Sequence, residues 1–160
     1  MPTSRTERAA QGGSSIWPVV VSWALVVLWA GFIFFMSAHT GSDLNEGDDL
    51  VAHIKQWLNE VQLRWFGPGV DLASSVAHFC EFAVFGALLS NALGRHVVGS
   101  RGRVLLAAVA VASVYAITDE VHQIFVPGRV CDVADWAVDT AGALLGAGIW
   151  ALVARARARM

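Results

Sequence analysis

Charge is scarce in this sequence. Lysine and arginine number 11 and the acids 13, so charged residues make up 15% of the 160 positions, against about 25% in soluble domains. The apolar share is correspondingly high at 56%, with a mean hydropathy of +0.55, where soluble domains average roughly 45–50%. Both departures argue against a water-soluble domain and for a membrane protein. Clustered basic residues with interleaved aromatics are missing, which disfavours nucleic acid as a partner. Cysteine is limited to Cys80 and Cys131, too few for a disulfide framework and without the CxxC spacing of a metal knuckle. The two read as a helix-packed thiol and a turn residue, and a bridge stays open if both lie near one membrane face. There is no HExxH metal motif and no GxSxG elbow, and Ser74, Ser75 and Ser113 have no surroundings that would mark a nucleophile.

What the chain does have is long apolar runs. Residues 16–37 form an uncharged stretch of 22 residues, and a spanning helix needs about 20. The core of a cleaved signal peptide is shorter, roughly 7–15 residues, so this is an uncleaved first span. Trp17 suits the membrane interface, and Pro18 suits a first helical turn, where its missing N–H costs little. Further spans follow at about 72–93, 104–126 and 132–153. Gly94 and Arg95 end the second, Pro127 and Gly128 stop the third, and Asp132 is placed to cap the fourth. One membrane domain, 16–153, thus lies between a polar tail at 1–15, read as disordered, and a basic tail at 154–160.

The first loop is not featureless. Leu50, Ile54, Trp57, Leu58 and Val61 recur at spacings of three and four, one face of an amphipathic helix, with Asp49, His53, Lys55 and Glu60 opposite. Trp65 and Phe66 follow, and Gly67-Pro68-Gly69 breaks the helix. Two positions fit it: in the membrane interface, or as a lid on the span ends.

The few charges are segregated. The segment before the first span, the link between spans two and three, and the C-terminal tail together carry eight arginines and one acid, Glu7. The other face holds Lys55, Arg64 and Arg129 among many carboxylates. Basic residues stay cytoplasmic, so the expectation is an all-α bundle of four antiparallel transmembrane helices. Both termini face the cytoplasm, and one interfacial helix lies in the first outer loop.

That orientation gathers ionisable groups at the outer end. Residues 118–142 carry Asp119, Glu120, His122, Gln123, Arg129, Asp132, Asp135 and Asp139, and the second span adds His78 and Glu81 three apart. Asp132, Asp135 and Asp139 share a stripe that continues into Gly142 and Gly146, a small-xxx-small pair for close helix packing. On the third span Asp119, His122 and Gln123 share a face, with Glu120 one step round. Arg129 is placed to pair bidentately with one of the carboxylates. Asp132 reads first as a structural cap. Ionisable residues inside spans are functional candidates by default, while a polar network that only fixes bundle geometry would use the same residue types. Both readings stay open. His78, Glu81, Asp119 and His122 would suit zinc or iron, but HxxE and DxxH are short patterns, and no metal or cofactor is assigned.

These residues also carry a resemblance. DEVHQIFVPGR (119–129), followed by Asp132, Asp135, Asp139 and Gly142, resembles the signature of VanZ-like membrane proteins. AHFCEFAVFGALL (77–89) resembles that family's second span, with its His-Phe pair at His78-Phe79. FFMSAHTG (34–41) is similar, more loosely, to the end of its first span. The matching positions are His78, Phe79, Glu120, Gln123, Phe125, Pro127, Arg129, Asp135 and Gly142. There are two departures: Ser74 and Ser75 stand where many members have Asp-Lys, and Asp139 where many have Asn. The resemblance implies a polytopic bacterial inner-membrane protein, of a family whose namesake is linked to low-level resistance to glycopeptide antibiotics, especially lipid-tailed teicoplanin. It supplies no reaction, so whether the chain is an enzyme stays open. The partners expected are membrane lipid and an amphiphilic or lipid-linked small molecule.

Overall fold

Where a chain enters lipid, each backbone N–H and C=O must find its partner within the segment, and a long apolar run therefore becomes helix. The computed structural model describes residues 16–38, 50–65, 67, 72–96, 100–127, 129 and 131–160. It contains five helices: α1 (Trp17–Ser37), α2 (Leu50–Trp65), α3 (Leu72–Leu93), α4 (Arg101–Gln123) and α5 (Val133–Arg157). Among the described residues there is no strand. α1, α3, α4 and α5 are each long and apolar enough to cross a membrane. The expectation for residues 1–15, together with Asp49, Phe66, Pro68 and Gly69, falls outside the described residues.

The helix ends follow local chemistry. Pro18 sits in the first turn of α1. Gly67 takes a φ of +82° and its N–H donates to the Gln62 carbonyl at 3.0 Å, closing α2 with a left-handed residue. The Asp132 side chain accepts from the Ala134 N–H at 2.8 Å and caps α5. α4 begins at Arg101 rather than Val104 and gives way to turn after Gln123. α5 runs on to Arg157, with Arg155 and Arg157 in its last turn, where the negative end of the helix dipole favours cations.

The tightest packing joins α3 to α5, and it is made by missing side chains. A Cβ on Gly142 would clash with the Phe79 carbonyl, one on Gly146 with the Ala83 carbonyl, and one on Gly86 with the Ala143 backbone. Lipid supplies no hydrophobic force between helices, so close backbone approach and dispersion hold them together. α4 joins this pair through Tyr115, whose ring lies 5.1 Å from that of Phe85. Ser113 accepts hydrogen bonds from the Trp136 indole (3.0 Å) and the Thr140 hydroxyl (3.1 Å) on α5. α1 is tied on by polar contacts: the Trp29 indole donates to the Glu81 carbonyl (2.9 Å), and the Tyr115 hydroxyl to the Ala30 carbonyl (2.7 Å). Its buried residues, Ser22, Val26, Ile33 and Ser37, form one stripe, and Val27, Leu28 and Phe35 point outward.

Residue pairings give the direction of each helix. Phe79 and Ala83 meet Gly142 and Gly146 in the same order, so α3 and α5 run in one sense. Ala30 and Ser37 meet Tyr115 and Asp119 in the same order, so α1 and α4 run in one sense. α4 meets α5 in reverse order, with Glu120 at Asp132 and Arg101 at Ala154. α2 packs beside the start of α3: Gln62 accepts from the Leu72 N–H at 3.2 Å and Leu58 is buried, while Ile54 and Trp57 stay exposed.

Candidate functional site

This topology brings the end of α1, the first half of α3, the end of α4 and the first turns of α5 to one end of the bundle. Arg95, Arg101, Arg103, Arg155 and Arg157 mark the opposite end. Asp119 stands 18 residues beyond Arg101, about 27 Å along the helix at 1.5 Å per residue.

The centre of the site is a trio of buried groups. His78, Asp119 and Asp139 are 4%, 2% and 0% exposed, and one ligand-type atom of each lies within 4.8 Å of the others. His78 Nδ1 is 3.3 Å from Asp139 Oδ1, without the alignment of a hydrogen bond. Asp119 uses one oxygen for its neighbours: Oδ2 accepts from the Ser37 hydroxyl at 2.6 Å and from the Gln123 amide at 3.4 Å. Asp119 Oδ1 and both Asp139 oxygens receive no hydrogen bond from a described residue.

Around this centre the expected residues divide. Glu120 is buried, and its Oε2 accepts the Asp132 N–H at 2.7 Å, so a carboxylate sits at the start of α5, where the helix dipole favours it. Glu81 and Asp135 are half-buried and lie outside the trio. His122 is not one of the trio and stacks on Phe34 of α1, with ring centroids 4.2 Å apart. The carboxylate pairing expected of Arg129 is not made with any described acid; its Nη1 donates to the Ser74 hydroxyl at 3.0 Å. The ligand set considered from sequence, His78, Glu81, Asp119 and His122, is therefore not the one the fold assembles. Asp139 takes the place of Glu81 and His122. The aspartate stripe of α5 deepens along the helix: Asp132 is exposed, Asp135 half-buried and Asp139 fully buried. Cys80 and Cys131 are both free and exposed.

Ser37 is a site residue that the sequence reading did not single out. Its signal was its place in FFMSAHTG, at the close of the first apolar run.

The VanZ/LLP1 family matches residues 22–154 of the chain, which takes in α3 and α4 whole, most of α1 and α5, and every residue of the cluster. The chain belongs to the VanZ/LLP1 family. Among curated proteins and among solved structures, none matches it. As a VanZ/LLP1 protein with four apolar helices of spanning length, it is a multi-pass membrane protein. Within this VanZ/LLP1 fold, the hydroxyl that receives Arg129 belongs to Ser74, one of the positions where the chain departs from the family resemblance.

Proposed function

We propose that this VanZ/LLP1 protein works in the bacterial plasma membrane, with both termini cytoplasmic and the polar cluster at the outer end of the bundle. There it binds or modifies an amphiphilic or lipid-linked molecule of the cell envelope. The observation that carries the reading is the convergence of Ser37, His78, Asp119, Glu120, Gln123 and Asp139, from α1, α3, α4 and α5, at the end of the bundle opposite the arginines. Arginine enrichment marks cytoplasmic ends, and buried polar groups in spans mark ligand or ion paths. Arg129, half-buried and with no hydrogen bond from its Nε to a described residue, is the group to meet an anionic headgroup such as phosphate. A contribution to low-level resistance to teicoplanin-type glycopeptides fits this placement.

Susceptibility to a lipid-tailed glycopeptide tests the reading. Arg129→Ala and Glu120→Gln should each abolish the protective effect while membrane levels stay equal to wild type. Unchanged susceptibility in both would refute it.

A second reading is favoured by one contact, Glu120 on the Asp132 N–H: the network only holds the bundle together. It expects the same substitutions to lower folded yield in detergent in step with the phenotype.

A further inference from the structure

We propose that His78, Asp119 and Asp139 bind one divalent first-row transition-metal ion, of the Zn2+, Mn2+ or Fe2+ type. The inference goes beyond the headgroup reading and does not need it. Nitrogen and oxygen ligands lie about 2.0–2.2 Å from such ions, so two ligands of one ion are at most about 4.4 Å apart. The trio already lies within 4.8 Å, and closing it onto a tetrahedral ion, whose ligand atoms stand about 3.3–3.6 Å apart, draws the farthest pair together by up to about 1.5 Å.

Three observations favour an ion over a hydrogen-bond network. First, the atoms at the centre lack donors. Asp119 Oδ1 and both Asp139 oxygens are buried and receive no hydrogen bond from a described residue, and His78 Nδ1 stands 3.3 Å from Asp139 Oδ1 without hydrogen-bond alignment. Leaving such groups uncompensated in an apolar interior is costly. Second, the charges balance. Two carboxylates and a neutral imidazole around a divalent cation sum to zero, whereas a protonated His78 between the same carboxylates leaves one negative charge uncancelled. Third, Asp119 is held from behind. Ser37 and Gln123 occupy Oδ2 and leave Oδ1 without a hydrogen bond from any described residue, as outer hydrogen bonds fix one side of metal-binding carboxylates. A mixed imidazole and carboxylate set without thiolate suits zinc, iron or manganese rather than soft ions.

The test uses the full-length protein in detergent, stripped with a chelator and then dialysed against Zn2+ or Mn2+ alone. Elemental analysis should find one ion per chain, and thermal unfolding should shift upward with ion concentration. Asp139→Asn keeps the size and shape of the side chain and removes only its charge, so the fold should accept it. Asp139→Asn and His78→Gln should each weaken binding by more than the roughly 10–100-fold that loss of an outer-sphere partner costs. Retention of no ion overturns the proposal. So does equal binding by wild type and both variants, or equal affinity for Mg2+ or Ca2+, which would leave the imidazole without a role. No antibiotic or lipid enters the measurement, so its failure leaves the reading of Arg129 and Glu120 standing.

Discussion

Ser37 donates to Asp119 at 2.6 Å from the last turn of α1, and it is the contact that brings α1 into the polar cluster. Ser37→Ala would leave a buried carboxylate oxygen with only the longer Gln123 bond. The expected loss is about 1–3 kcal/mol, the usual cost of an unsatisfied buried acceptor, read as a lowered melting temperature in detergent. Ser37→Thr keeps the hydroxyl and should recover most of it. Residue identity was the most legible layer of the site. His78, Asp119, Glu120, Gln123 and Asp139 stand out because ionisable and amide groups are conspicuous in apolar runs. Their partners were harder to read. His122 lies three residues from Asp119, on the same helical face, yet it stacks on Phe34. Spacing along one helix does not say which neighbour that face meets. Arg129 was expected on a carboxylate for its charge, and reaches the neutral Ser74 instead.

At the level of whole helices, hydropathy alone located the four long ones, because run length and solvent dictate them. The first turn of α4 was missed because Arg101 and Arg103 read as link, although long arginine side chains can stay at the interface while their backbone is helical. The Gly142 and Gly146 pair announced close packing but not against which helix; the structure supplies α3. Gly146→Leu would drive a side chain into the Ala83 carbonyl. Overpacking of this kind costs about 1–3 kcal/mol, more where backbone cannot yield. The expected result is a lower unfolding temperature in detergent, with Gly148→Leu, whose Cβ direction is open, close to wild type.

Across the whole molecule, the two ends differ in charge sign, and that difference sets the proposed orientation. Cys131 is exposed in the connection from α4 to α5, at the carboxylate end. With Cys80 replaced by alanine, a membrane-impermeant maleimide added to intact spheroplasts should label Cys131. Labelling only after the membrane is opened would invert the orientation. Segregation of arginine was visible from the sequence because it is a count over loops and tails. The assembly of His78, Asp119 and Asp139 was not, because it depends on how far α3 is inserted relative to α5, a distance no local pattern encodes.

That relative insertion is set by the glycine contacts. His78 is the residue before Phe79, whose carbonyl abuts Gly142, and Asp139 lies one helical turn ahead of that glycine. The imidazole and the carboxylate are thus aligned by a greasy ratchet with a single notch. Sequence drift along that seam would detune the site without altering any residue in it, and relatives that differ only there should differ in ion affinity or drug phenotype.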